Sequence, residues 1–200
     1  MATLLEPTAR LSESPQILAA IRKPDCNLAV WERATSPALG ALVKAPREDV
    51  RFEARLSGLA TRLENELDQA GYAASTERAA LIADIVDLAQ RYGAIMEESI
   101  LSVRLAVVTT DSCRKFHADY VKARLITTYV GTGTQWIDGE DAACVARDEP
   151  PQRIQTLKAG DVGLFKGKMW TQSPAIHRSP PIADTGETRL MLVLDPPRGP

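Results

Sequence analysis

The residue pattern of this 200-residue chain changes near residue 98, and that change constrains the fold more than any other feature. Before it, apolar residues recur at spacings of three and four, which is typical of amphipathic helices. After it, β-branched runs are separated by Gly, Pro and Asp turns, which is typical of strands. Short strands without intervening helices favour an antiparallel barrel or a double-sheet sandwich. The sequence therefore predicts an α+β protein, with a helical region over residues 1–99 and a β-barrel domain over residues 100–200.

Local signals predict individual elements in both halves. From about Arg47 to Gly71, one helix is predicted from a single apolar face: Phe52, Leu56, Leu59, Leu63 and Leu67. A second helix is predicted after Ser75, and Ser-Pro pairs at 14–15 and 36–37 indicate the starts of shorter ones. Strands are predicted over residues 102–110, 123–130 and 188–194, with others at 27–31 and 164–165.

Composition and charge exclude several classes of protein. The formal net charge is −2 and no block of basic residues occurs, which disfavours a nucleic-acid partner or an anionic membrane surface. The sequence contains no apolar run long enough for a spanning helix, and the N-terminal residues do not resemble a secretory signal. Three widely spaced cysteines argue against a disulfide framework. We expect a cytoplasmic protein that acts on a small-molecule or peptide substrate.

The two histidines of the chain stand in a pattern that indicates a metal site. His117 and Asp119 are two residues apart, so in extended backbone they share a face. His177, supplied by a later strand, completes two histidines and one carboxylate. This facial set leaves coordination positions open and is typical of non-haem Fe(II) oxygenases. The alternative is that both are ordinary, partly buried histidines paired with carboxylates.

The order of these motifs resembles that of the Fe(II)- and 2-oxoglutarate-dependent oxygenase superfamily. In that family an H-x-D motif is followed by a distant His and then a basic residue on the last core strand, and here Arg189 follows His177. The resemblance covers roughly residues 100–195 and implies a double-stranded β-helix, or jelly roll, that binds metal. It also implies Fe(II) and 2-oxoglutarate as cofactors, with Arg189 binding the distal carboxylate. Tyr129 and Ser179 are further candidates for that carboxylate.

Each of these assignments has a plainer alternative. Arg189 could be a solvated arginine at a strand edge, and Tyr129 could pack in the core with its hydroxyl satisfied. Surface and core positions are favoured for Arg178 and Trp170 over a place at the substrate mouth. The β context favours a buried, inert Cys113, although a turn there would allow it to join the metal site.

More narrowly, residues 113–119 together with 177–181 resemble an uncharacterised bacterial family that is linked to zinc-homeostasis genes. That resemblance keeps a second hypothesis open, in which the same His/Asp/His site holds zinc without catalysis. A third hypothesis is an interaction module with a degenerate site. His and carboxylate ligands accept both iron and zinc, so the sequence does not choose between the metals.

Overall fold

The structure, a computed structural model, describes residues 8–45, 47–111 and 113–197. The N-terminal residues, on which the expectation of no secretory signal depends, lie partly outside the described residues. The described strands, in chain order, are β1 (Thr8–Ser12), β2 (Cys26–Trp31), β3 (Val50–Arg55), β4 (Ile100–Val108), β5 (Ala123–Val130), β6 (Gln135–Ile137), β7 (Gln155–Thr156), β8 (Val162–Lys166), β9 (Ile176–Arg178) and β10 (Arg189–Asp195).

These strands form a large and a small sheet, and two of the three described α-helices pack against the large one. The large sheet has the spatial order β1-β2-β8-β5-β10-β4-β3, and the small sheet has the order β7-β6-β9. The helices are α1 (Leu59–Gln69), α2 (Thr76–Met96) and α3 (Gly139–Ala146). Shorter 3-10 helices span Pro15–Arg22, Pro37–Val43 and Leu56–Gly58. Among the described helices, none is both long and apolar enough to cross a membrane.

The large sheet has one face toward the helices and one toward a cavity. Alternation along β10 directs its three leucines into the core. This core also contains fully buried residues of α2, among them Leu81, Ile85 and Leu88. The β10 residues of opposite parity, Met191 and Val193, line the cavity instead. A single layer of strands therefore separates a helix-packed core from a cavity that is lined in part by charged side chains.

Several predicted elements are confirmed. The strand predicted at 123–130 is β5, and the helix predicted after Ser75 is α2. The strands predicted at 102–110 and 188–194 correspond to β4 and β10, and those at 27–31 and 164–165 correspond to β2 and β8. The Ser75 side chain accepts a hydrogen bond from the backbone N–H of Arg78, as expected of an N-cap. Both Ser-Pro pairs start 3-10 helices, although only Ser36 accepts a side-chain capping bond there.

Two expectations are corrected. The helix predicted from Arg47 begins only at Leu59, because Val50–Arg55 pairs with β4 as a strand. The first 99 residues are also not purely helical, since β1, β2 and β3 belong to the same large sheet as the later strands. The α+β class is confirmed. The hydrogen bonds of the described strands form two separate sheets, so a closed barrel stays a prediction.

Candidate metal centre

The two histidines are neighbours across an isolated β-bridge. His177 lies on β9, and His117 lies in the segment between β4 and β5. The backbone N–H of each donates to the carbonyl of the other, at 3.0 and 2.9 Å. Their ring centroids are 4.8 Å apart. Two imidazoles that are far apart in the sequence are therefore held side by side by the backbone pairing.

Asp119 completes a compact cluster with both imidazoles. Its Oδ2 lies 3.2 Å from Nε2 of His177, and its Oδ1 lies 3.8 Å from Nε2 of His117. The three candidate ligand atoms all lie within 4.8 Å of one another. Adjacent ligand atoms on an ion with bonds of about 2.1 Å are about 3 Å apart, so only a small convergence is needed. The structure thus brings together the three residues that the sequence predicts as metal ligands.

The other ring nitrogens have partners that favour metal binding. Nδ1 of His117 lies 2.9 Å from the carbonyl oxygen of Lys115, and Nδ1 of His177 lies 3.4 Å from that of Ala175. A carbonyl oxygen only accepts, so a neutral ring in this position carries its proton on Nδ1. Nε2 then presents a lone pair toward Asp119. A cation between the two lone pairs and the carboxylate would stabilise this arrangement. Metal-binding histidines are commonly oriented in this way, by a carbonyl that accepts from the other ring nitrogen.

Asp119 is held in its ionised form. Burial opposes ionisation, but the His177 ring, Arg124 and His117 outweigh that effect and lower the pKa of Asp119 below its ordinary value. Nη1 of Arg124 donates to Oδ1 of Asp119 at 2.5 Å. Oδ2 is buried and makes no hydrogen bond, although Nε2 of His177 is close. A divalent cation fits this arrangement, because one carboxylate oxygen is anchored while the other lacks a donor.

Arg124 also makes a second ion pair that fixes its position. Its Nε and Nη2 donate to the two carboxylate oxygens of Asp195 at 2.7 and 2.8 Å. A bidentate pair of this kind constrains the plane of the guanidinium group. Arg124 therefore joins the ends of β5 and β10 to the metal-site carboxylate, a role that the sequence analysis did not identify.

Arg189 is a buried cation with unused hydrogen-bonding capacity. It is 0% exposed, and it donates from Nε to the Thr132 carbonyl at 2.6 Å and from Nη2 to Thr128 Oγ1 at 3.4 Å. Nη1 is buried without a partner, and no described carboxylate forms an ion pair with this residue. Burial lowers the pKa of Arg189 to about 10, against a smaller opposing effect of Glu187. Alternation along β10 places it on the same face of the sheet as Met191 and Val193, which line the cavity, although Arg189 itself is not among the lining residues.

The structure separates the remaining cosubstrate candidates. Ser179 lines the same cavity as the two histidines. Tyr129 does not: it faces α2, where its hydroxyl donates to Asp84 at 2.8 Å. This is the core position with a satisfied hydroxyl, and it corrects the suggested contact of Tyr129 with the cosubstrate. Burial, reinforced by Asp84, raises the pKa of Tyr129 well above its ordinary value.

Cys113 departs from its predicted burial. It is exposed at the cavity edge, in a turn with φ of 50°, and is not one of the clustered ligands.

Arg178, favoured for the surface by the sequence, is half-buried and lines the cavity. The cavity has a volume of about 150 Å³, and its wall also contains Arg51 and Arg104, which the sequence analysis missed. Each arginine stands between buried apolar residues of its strand, Arg51 in β3 and Arg104 in β4, and this alternation could have placed both on the face opposite the core.

A family comparison covers almost the whole chain. The family described as "Protein of unknown function (DUF1826)" matches residues 12–195. The chain belongs to this DUF1826 family. The matched range includes all three clustered ligands and Arg189. No curated protein matches the sequence.

Solved structures give distant likenesses to this DUF1826 member. AviO1 from Streptomyces viridochromogenes Tue57 is 15% identical with a TM-score of 0.44, over 96% of this chain and 99% of that one. A Pseudomonas putida prolyl-4-hydroxylase is 14% identical with a TM-score of 0.37, over 84% and 100%. Hydroxypropylphosphonic acid epoxidase from S. wedmorenis is 16% identical with a TM-score of 0.32, over 48% of this chain and 42% of that one. The chain thus spans less than half of the epoxidase. These TM-scores all lie below 0.5.

Proposed function

We propose that this protein is an Fe(II)- and 2-oxoglutarate-dependent oxygenase that hydroxylates a substrate in the cavity between its two sheets. In this proposal the sheets are the two halves of a double-stranded β-helix. The supporting observation is the convergence of a ring nitrogen of His117, a ring nitrogen of His177 and a carboxylate oxygen of Asp119 within 4.8 Å of one another. Three ligands on one side of a cation leave positions open for cosubstrate and oxygen, as in facial-triad iron sites.

The chain's own residues divide the work at such a site. His117, Asp119 and His177 would hold Fe(II), which supplies the redox chemistry for dioxygen activation when bound. The carbonyls of Lys115 and Ala175 fix the orientation of the two imidazoles. The guanidinium group next to Asp119 anchors its carboxylate through Oδ1. These contacts preorganise the three ligands, so that little conformational freedom is lost on binding.

Arg189 fits the distal carboxylate of 2-oxoglutarate. A guanidinium group with an unpartnered, buried Nη1 offers a charge-assisted hydrogen bond to a carboxylate. It is fully buried, on the face of β10 from which Met191 and Val193 line the cavity, so a carboxylate that reached it would have a partner remote from water. Ser179, which lines the cavity, remains a candidate for an additional hydrogen bond to the cosubstrate.

An anaerobic titration tests the proposal. Fe(II) followed by 2-oxoglutarate should produce a weak visible charge-transfer band in the parent protein. His177→Ala removes one ligand and should abolish the band, whereas Asp87→Ala, a change on α2 outside the cavity, should retain it. The absence of a band from the parent at saturating ligand contradicts cosubstrate binding to the metal. A single tightly held zinc ion that ignores 2-oxoglutarate supports the zinc-binding alternative instead.

A further inference from the structure

Two arginines lie directly opposite each other in the wall of the cavity. Arg51 on β3 is in register with Arg104 on β4, and both line the same 150 Å³ cavity as the two histidines. Like charges directly opposite in a sheet are destabilising. Arg51 is exposed and Arg104 is paired with Asp49, which reduces the repulsion, and an anionic ligand between the two guanidinium groups would reduce it further.

These arginines keep donors that the protein does not satisfy. Arg104 donates from Nη2 to Asp49 at 3.1 Å, but its Nε is buried and makes no hydrogen bond. Arg51 forms no ion pair with any described residue. By contrast, Arg124 is neutralised by Asp119 and Asp195. Arg51 is therefore a cavity-wall arginine without an ion pair among the described residues, and Arg104, although paired with Asp49, adds an unused Nε donor beside it.

This cationic pair is separate from Arg189. Arg104 is paired with Val193 of β10, whereas Arg189 is paired with Val108. Four residues along β4 correspond to about 13 Å. The two positions therefore lie at different ends of the cavity face, and a small molecule bound at one leaves the other available.

We propose that Arg51 and Arg104 bind an anionic group, a carboxylate or a phosphate, of the substrate. This inference rests on the proposed function for its assignment to a substrate, while the anion site itself rests on the two arginines. Guanidinium groups match the oxygen geometry of both anions, and the Nε of Arg104 is a buried donor without a hydrogen-bond partner. The substrate class is accordingly one that carries a carboxylate or phosphate group.

Anion binding to the metal-free protein provides the test. Inorganic phosphate, and acetate in a second series, are titrated by calorimetry after metal has been removed with EDTA, because a bound metal would itself attract anions. The double variant Arg51→Gln/Arg104→Gln should weaken binding of the preferred anion by at least about tenfold. Arg55→Gln, a control on the same strand outside the cavity, should bind like the parent. Preference for phosphate or acetate distinguishes a phosphorylated from a carboxylated substrate.

Two further variants keep the outcome interpretable. Arg51→Lys/Arg104→Lys preserves the charge and should retain measurable binding even if the glutamine variant is poorly folded. His177→Ala should lose Fe(II) binding and keep anion binding. Equal anion binding by the parent and the glutamine variant, or none by the parent at millimolar concentrations, overturns the anion site. Loss of the iron and 2-oxoglutarate response alone overturns the oxygenase proposal and leaves the anion site standing.

Discussion

Among the individual side chains, Arg189 gives the sharpest test of cosubstrate binding. A buried cation without a paired carboxylate is costly, so a ligand carboxylate should be bound strongly. Arg189→Met removes the charge but keeps an elongated side chain. In the anaerobic titration of the Fe(II) protein, we expect the 2-oxoglutarate concentration that gives half of the maximal charge-transfer absorbance to rise about 10- to 100-fold. This is the effect of losing one or two charge-assisted hydrogen bonds. Fe(II) binding should be retained.

Arg91→Met is the matched control for this change, because Arg91 is a partly exposed residue of α2 whose ion pair with Asp87 lies outside the cavity. It should leave the titration unchanged. A half-saturation concentration for Arg189→Met equal to that of the parent would remove Arg189 from the cosubstrate site.

Arg124 should influence the metal without touching it. Arg124→Gln removes the donor at 2.5 Å from Asp119 and the bidentate pair with Asp195. Second-sphere changes of this kind typically cost about 10- to 100-fold in metal affinity. Competition with a coloured chelator measures this loss, and Arg91→Gln is the control. Unchanged affinity, in a variant that folds normally, would mean that Asp119 does not need Arg124 for its orientation.

Among the helices and strands, Gly93 determines how closely α2 packs against Leu56 and against the chain that leaves the helix at Glu98. A Cβ at this position would lie 2.6 Å from Leu56 Cδ1 and 2.8 Å from the carbonyl oxygen of Glu98. Gly to Ala usually stabilises a helix by up to about 1 kcal/mol. Here Gly93→Ala should instead destabilise the protein by about 1–3 kcal/mol, because the clash includes a backbone atom. Urea unfolding measures the change, and Gly40→Ala, with nothing within 4 Å, is the control.

Tyr129 joins β5 to α2 through Asp84, which also accepts hydrogen bonds from both terminal nitrogens of Arg33. Tyr129→Phe should therefore lower the free energy of unfolding by about 1 kcal/mol, the usual value of one buried hydrogen bond. It should leave 2-oxoglutarate binding unchanged. Tyr120→Phe, at an exposed position, is the control in urea unfolding. A selective loss of 2-oxoglutarate affinity would instead return Tyr129 to the cosubstrate site.

Elements with strong local signals were predictable from sequence, and those decided by pairing were not. The helix after Ser75 has both a capping residue and a continuous apolar face. Phe52 fits the helical spacing of α1 equally well, but pairing with Val103 places it in a strand. The same limit applied to the site. The spacing of the H-x-D motif was informative, whereas the partners of Arg124 and Arg104 depend on contacts between residues far apart in sequence.

Across the complete fold, the metal site connects segments that are otherwise held by separate sheets. His177 belongs to the small sheet, while Asp119 is tied through Arg124 to Asp195 at the end of a strand in the large sheet. A cation bound by His177 and Asp119 would therefore link the two sheets directly. Metal binding should therefore raise the free energy of unfolding of the whole protein, because the unfolded chain does not hold these ligands together.

Metal-linked stability follows from this connection. At a free metal concentration about one hundred times the dissociation constant, binding should stabilise the folded protein by about 2.7 kcal/mol. For a chain of this size that corresponds to an increase in melting temperature of about 5–10 °C. Calorimetry with anaerobic Fe(II), or with Zn(II), should show the increase in the parent, and EDTA should reverse it. His177→Ala should show little of it, while Asp87→Ala should behave like the parent. An equal increase in His177→Ala would mean that the metal binds elsewhere, because His177 is the ligand of the described triad that the small sheet supplies.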